Sequence, residues 1–141
     1  MVFGAKAKGR NLQKKIVQLI STYFGLLSGE GEDIRSTPMG SGGPDVLYQT
    51  REAQATLGFS VECSNSEKFS LAKLEQGYNN GIDKKHNDKK RWPVLFYKKN
   101  GWRPVAILDA ETFMDLSCRL KSMDGIGIYE PRLMGGARKK K

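Results

Sequence analysis

The succession of helical and extended segments constrains the fold more than any other feature of this sequence. A helix is predicted over residues 10–24, because apolar residues recur there at spacings of three and four, and Gly25 follows it as a stop signal. Two strand candidates come next, at residues 44–49 and 59–63, and we expect them to pair antiparallel. The connection between them is predicted to be irregular or a short helix.

The second half of the chain continues the mixture of helices and strands. Ser70 is a predicted N-cap for a helix to about residue 79, and the polar segment 80–91 is expected to be a surface loop. Two apolar runs, residues 93–98 and 103–108, flank Asn100-Gly101, which is a strong hairpin signal. A last helix is predicted to open at Asp109 or Ala110. This order indicates the α/β class, or α+β, with a mixed β-sheet flanked by helices on both faces.

The length of the chain limits the number of domains, and its net charge indicates the class of partner. A chain of 141 residues is expected to form a single domain over residues 1–141, with flexible basic ends at about 1–9 and 135–141. Lysine and arginine number 24 against 15 acidic residues, a net charge of +9. That excess favours a polyanionic partner, and nucleic acid is the first candidate.

Composition also excludes several classes of protein. Two cysteines and one histidine are too few for a four-cysteine zinc site or a histidine-rich nuclease centre. Cys63 and Cys118 are predicted to be buried free thiols, which favours a reducing compartment. No apolar run approaches the roughly 18 residues that a membrane span needs. We therefore expect a soluble cytoplasmic protein that does not interact with a membrane.

Two acidic residues on neighbouring strand candidates form the strongest chemical signal. Asp45 opens one strand after a glycine-rich turn, and Glu62 ends the next, with Val61 and Cys63 on the opposite face. Paired carboxylates repel each other unless a cation lies between them, and Mg²⁺ prefers such oxygen ligands, to which the backbone carbonyl of Cys63 would add a third. The alternative is that Asp45 is a turn residue and Glu62 a solvated strand residue, and spacing alone favours that alternative.

Three short motifs in order carry a family resemblance. They are Gly40 to Val46 (GSGGPDV), Ser60 to Asn65 (SVECSN) and the pair Glu75-Gln76. Together they resemble the PD-(D/E)xK nuclease superfamily, and Lys8 to Gln13 (KGRNLQ) is similar to the start of archaeal-type and phage-type Holliday-junction resolvases. The similarity covers about residues 8 to 110.

The resemblance implies a fold, an activity and a set of site residues. It implies a restriction-endonuclease-like sheet and a homodimeric endonuclease that cuts four-way DNA junctions with Mg²⁺, for which Mn²⁺ can substitute. Asp45 and Glu62 would be the metal-binding acids. Gln13 stands where many relatives carry a glutamate, and Gln76 matches a helix glutamine that orients the site or the DNA.

One position departs from the family pattern. Relatives carry a lysine two residues after the second acid, where this chain has Ser64, and serine cannot supply the positive charge that stabilises a phosphorane. Three explanations follow, of which the sequence favours the first: an inactivated variant, a lysine supplied by Lys68 or Lys73, or a protein that binds DNA without cutting it.

Basic residues that would contact DNA lie at both ends of the motif region and in the polar loop. They are expected to hold the phosphate backbone without reading bases. The predicted DNA contacts are Arg10, Arg35, Ser36, Lys68, Lys73, Lys84, Lys85, Lys89 and Lys90. Two other functions stay open: a non-catalytic basic DNA-binding module, and a nicking or restriction-type nuclease on linear duplex.

Overall fold

A computed structural model describes the backbone of residues 4–82 and 91–122 and the side chains of residues 4–80 and 91–120. The chain divides into two compact units, Met1–Leu108 and Asp109–Lys141. The helices are α1 (Ala5–Phe24), α2 (Arg51–Thr56), α3 (Ala72–Ile82) and α4 (Ala110–Ser122). The strands are β1 (Ile34–Ser36), β2 (Val46–Tyr48), β3 (Phe59–Asn65), β4 (Trp92–Lys98) and β5 (Val105–Ile107).

The described strands form two small sheets. β1 pairs antiparallel with β2, whereas β3 pairs in parallel with β4, and β4 pairs antiparallel with β5. The expected α/β class is confirmed, and the larger sheet is mixed. The expected antiparallel pairing of the two acid-bearing strands is wrong, because β2 takes β1 as its partner and β3 takes β4.

Helix α1 begins earlier than the sequence predicts and ends where expected. Residues 5–9 are helical instead of a frayed basic end, in keeping with the high helix propensity of alanine and lysine. Gly25 closes the helix in the left-handed conformation, with φ of 68°, and its backbone N–H donates to the carbonyl oxygen of Ser21 at 3.0 Å. Glycine adopts this conformation without the steric cost that a Cβ imposes.

The core of the first unit lies between α1 and β3. Leu12, Ile16 and Ile20 of α1 are buried with Val61 and Cys63 of β3. Helix α3 covers the other face of β3, where Asn80 donates a hydrogen bond to Glu62. Since successive strand residues point to opposite faces, β3 is sandwiched between an apolar layer and a partly polar one.

The hairpin and α3 agree with the sequence, with one shift. β4 and β5 pair across a turn in which Gly101 has φ of 80°, as Asn100-Gly101 predicts. The Ser70 hydroxyl accepts a hydrogen bond from the backbone N–H of Ala72 at 3.1 Å, and α3 then continues to Ile82. The helix therefore takes the first residues of the segment that was expected to be a loop.

The second unit is described through α4. Asp109 caps this helix, because its Oδ1 accepts from the backbone N–H of Thr112 at 2.9 Å and its Oδ2 accepts from the Thr112 hydroxyl at 2.6 Å. Asp115 and Arg119 form an i, i+4 ion pair at 3.4 Å. The prediction of one domain stays a prediction.

Cysteine state and membrane character complete the fold. Cys63 and Cys118 are both free, as expected, but Cys118 is exposed rather than buried. Within residues 4–82 and 91–122, no helix combines the length and the apolar character that crossing a bilayer requires.

Candidate functional site

The backbone of Asp45 is held by both sheets. Its N–H donates to the carbonyl oxygen of Val61 on β3 at 2.8 Å, and its carbonyl oxygen accepts from Thr37 beyond β1 at 3.0 Å. The preceding Gly43 has φ of 94°, a conformation that residues with a Cβ rarely adopt. The glycine-rich turn therefore delivers Asp45 to the edge of β3, although β2 itself does not pair there.

The carboxylate of Asp45 lies between a backbone donor and an ammonium group. Its Oδ2 accepts from the backbone N–H of Cys63 at 2.8 Å, and the Nζ of Lys73 lies 3.9 Å from the same oxygen. Burial raises the pKa of Asp45 above its usual range, while the Cys63 hydrogen bond and the Lys73 charge act in the opposite direction. Lys73 thus supplies positive charge at the acid site.

Glu62 is buried on the face of β3 that α3 covers. It is 1% exposed, which overturns the alternative of a solvated strand residue. Its Oε2 accepts from the side-chain amide of Asn80 at 2.6 Å, and its Oε1 is buried without a hydrogen-bond partner. Burial raises the pKa of Glu62 to about 7; Asn80 and Lys73 lower it, and the charge of Asp45 raises it further. Buried polar atoms without a hydrogen-bond partner are uncommon in folded proteins.

One face of α3 serves this carboxylate. Lys73, Gly77 and Asn80 follow one another at the four- and three-residue spacings that align side chains on a helix. A Cβ added at Gly77 would lie 3.1 Å from the Cγ of Glu62 and 3.2 Å from the Cβ of Pro93, so glycine permits the close approach of helix and strand. Gly77 and Asn80 were missed by the sequence reasoning. The four-residue spacing of Gly77 from Lys73 on the predicted helix is the signal that could have found Gly77, whereas Asn80 stands in the segment that was expected to be a loop.

The other residues expected around this site have different positions. Ser64 is half-buried two residues after Glu62, on the same face of β3. Lys68 is exposed in the loop after β3, so Lys73 is the lysine that reaches an acid. Gln76 is exposed on α3, immediately before Gly77.

The oxygen atoms at this position suit a hard divalent cation with an incomplete protein ligand set. Among the described residues no group of three or more His, Cys, Asp or Glu side chains could hold a metal. Mg²⁺ is commonly bound by one or two carboxylates, with water and substrate phosphate completing the octahedron, and Asp45 and Glu62 are the two carboxylates at this position that such an ion would use. The backbone N–H of Cys63 points toward Asp45, and the carbonyl oxygen of Cys63 points to the same edge of β3. Burial first, and then the two carboxylates, raise the pKa of the Cys63 thiol, which therefore stays uncharged.

A groove of about 280 Å³ opens beside Asp45, between α1 and the segment that links β1 to β2. It brings together four residues that the sequence predicts for the site or for DNA: Gln13, Arg10, Arg35 and Ser36. Gln13 is half-buried, as expected beside the apolar face of α1. Glu62 is not among the residues that line the groove, so Asp45 stands between the groove and the α3 side of the sheet.

Four of the expected DNA contacts are not among the residues that the structure describes. Lys84, Lys85, Lys89 and Lys90 lie outside the described residues. Arg91, which ends the same basic segment, is buried: its Nε donates to the carbonyl oxygen of Leu57 at 2.9 Å. A second guanidinium nitrogen of Arg91 donates to the carbonyl oxygen of Gln54 at 2.8 Å, and the group lies 5.2 Å from the ring centroid of Tyr48. Arg91 therefore connects the start of β4 to α2 and to the residue that follows α2.

Comparisons with known proteins add no family or relative to this geometry. A scan against protein-family models, a search of curated proteins and a search of solved structures each returned no match.

Proposed function

We propose that the chain is a divalent-metal-dependent endonuclease that hydrolyses phosphodiester bonds in DNA. The observation that carries this proposal is the placement of the Lys73 ammonium 3.9 Å from the Asp45 carboxylate, beside a buried Glu62 with an unpartnered oxygen. Two acids and a cation at one position match the acid–acid–lysine chemistry that the sequence motifs imply, although the lysine comes from another element.

Each residue has a distinct role in the proposed site. Asp45, Glu62 and the carbonyl oxygen of Cys63 would hold the cation, which when bound polarises the phosphodiester and lowers the pKa of a water. Lys73 stabilises the negative charge that develops on the phosphoryl oxygens. Asn80 orients Glu62 through its hydrogen bond and leaves the second carboxylate oxygen available.

Lys73 also explains Ser64 without an inactivated variant. A lysine at position 64 would project from β3 toward α3, the side from which Lys73 already approaches the acids. The charge is thus supplied from the helix instead of the strand. We favour this relocation over a chain that has lost its activity.

The proposed substrate is branched DNA, and the proposed assembly is a homodimer within a restriction-endonuclease-like fold. The net charge of +9 and the cationic groove beside Asp45 support a nucleic-acid substrate. A twofold dimer would place two sites on the two strands that a symmetric cut of a junction requires.

The test is cleavage of a labelled four-way junction and a linear duplex of matched sequence, each with Mg²⁺ or with a chelator. We compare the natural chain with Lys73→Gln, Asp45→Asn, Ser64→Lys and the matched control Lys68→Gln. The natural chain is expected to cut the junction only with Mg²⁺. Lys73→Gln is expected to lose about a hundredfold in rate, because a preorganised charge contact is removed. Lys68→Gln is expected to retain the rate.

The alternatives give different patterns in the same assay. Cutting by Ser64→Lys alone would show that position 64 lacks its charge and that Lys73 does not replace it. Cutting of both substrates at equal rates would identify a nuclease for linear duplex. Binding without any cutting, in every variant, would reject the nuclease and leave a DNA-binding module.

A further inference from the structure

A second cavity lies next to the groove beside Asp45. That cavity, of about 350 Å³, follows α1 toward its C-terminal half and reaches Ser28 and Gly29 in the loop before β1. Lys14, Arg35 and Ser36 line both cavities, so the two adjoin each other and together make a path along α1 and β1. We refer to it as the α1–β1 groove. It starts at Asp45, one of the proposed metal ligands.

Positive charge dominates the middle of the α1–β1 groove. Arg10, Lys14 and Arg35 line it, while its acidic residues are Asp45 at one end and Glu30 at the other. Within the part of the chain that the structure describes, none of these three cations has a carboxylate within 4.0 Å. Uncompensated cations along a narrow concave surface concentrate the positive potential there and attract anions.

The shape of the groove selects among anionic ligands. A free phosphate would occupy one cavity and leave the other unused, whereas the shared wall of Lys14 and Arg35 serves a ligand that passes through both. Hydroxyl groups of Ser36 and Ser28 provide hydrogen-bond donors along the same path. A nucleic-acid strand carries its charge on a continuous backbone, and lysine, arginine and serine are residues that contact it.

We infer that the α1–β1 groove binds the sugar-phosphate backbone of the DNA strand on one side of the cut, with Lys14 and Arg35 each on a phosphate where the two cavities adjoin. The inference rests on the proposed function for the identity of the strand. It adds a binding site with a path, and it assigns a role to Lys14, which the sequence motifs do not single out. Gln13, which lines the same cavity as Arg10 and Asp45, then lies beside the strand near the acid site.

The test measures binding in the absence of cleavage. A labelled four-way junction is titrated with the full chain in chelator, at several salt concentrations between 50 and 200 mM. Lys14→Gln and Arg35→Gln are compared with two controls, Lys15→Gln, the next residue of α1, and Arg51→Gln, at the start of α2. Both control residues are exposed and line neither cavity.

Counterion release sets the expected result. The slope of log K against log salt is negative, and each groove variant should make it shallower by about 0.9, whereas the controls should leave it unchanged. Over the fourfold salt range that difference corresponds to about a 3.5-fold smaller loss of affinity per removed contact. Urea unfolding of each variant shows that the fold is retained.

Other outcomes would overturn the inference. Equal slope changes for Lys14→Gln and Lys15→Gln would indicate a diffuse charge effect. Unchanged slopes for both groove variants would show that the DNA does not bind in the α1–β1 groove. A natural chain that binds with the expected slopes yet never cuts with Mg²⁺ would leave the groove in place and reject the nuclease. The two proposals can therefore fail separately.

Discussion

The two faces of β3 differ in almost every physical property. The face toward α1 carries Val61 and Cys63, which pack with the apolar side chains of that helix. The face toward α3 carries Ser60 and Glu62, which are equally buried but hold polar atoms without hydrogen-bond partners, the Ser60 hydroxyl oxygen and the Glu62 Oε1. One strand thus serves as a core element on one side and as a candidate reactive surface on the other.

The face toward α1 contributes to the stability of the fold, and the face toward α3 carries the candidate reactive groups. Apolar burial against α1 stabilises the fold, and burial of the Glu62 carboxylate destabilises it because the charged form loses its hydration. Groups that lower stability in the resting protein are typical of sites that gain a ligand or a substrate later. The following changes test whether the two faces really divide the roles in this way.

The largest expected effect is on the α1 side. Ile16 is 0% exposed, so Ile16→Ala should lower the free energy of unfolding by about 4 kcal/mol through lost burial and a residual cavity. Leu19, on the same helix but 42% exposed, is the matched control, and Leu19→Ala should cost under about 1 kcal/mol. Urea unfolding measures both. Equal losses would show that α1 does not form the core that stabilises β3.

The next effect lies on the α3 side and has the opposite sign. The folded-state pKa of Glu62, about 7, is above its ordinary value of 4.5, so the folded protein holds the proton more tightly. Its stability should therefore fall as pH rises from about 4.5 to about 7, by roughly 3 kcal/mol for this group. Glu62→Gln removes the titration and should stabilise the protein by up to that amount at pH 8, with little change at pH 4.5.

Unfolding in chelator across this pH range measures the effect, since a bound divalent cation would itself favour the charged carboxylate. A Glu62→Gln curve that runs parallel to that of the natural chain would contradict the burial argument.

The smallest expected effect concerns the contact between α3 and β3. Gly77→Ala gains up to about 1 kcal/mol of helix propensity but places a Cβ 3.1 Å from the Cγ of Glu62, so we expect a net loss of about 1 kcal/mol. Gly9→Ala in α1 is the control, because a Cβ there meets nothing within 4 Å and the helix gain should appear alone. Thermal unfolding compares the two. Stabilisation by both alanines would mean that the side chains of Glu62 and Pro93 shift to make room for the added Cβ without an energetic cost.

Local patterns account for much of this molecule because they depend on nearby residues only. The amphipathic spacing and Gly25 predict the end of α1, Asn100-Gly101 predicts the β4–β5 hairpin, and these features are confirmed. A glycine-rich turn and an alternating strand also single out Asp45 and Glu62 without knowledge of the fold, and their role as site residues stays a prediction. The family resemblance and its activity stay predictions.

Long-range packing accounts for the rest. Strand partners are chosen by which apolar faces can be buried together, so β2 pairs with β1 although β3 is the next strand along the chain. The same packing brings Lys73 to Asp45 and Asn80 to Glu62. It also buries Arg91, although the charged sequence around Arg91 predicts an exposed loop. A carboxylate acquires its raised pKa, and a groove its concentrated charge, only when distant segments exclude water together.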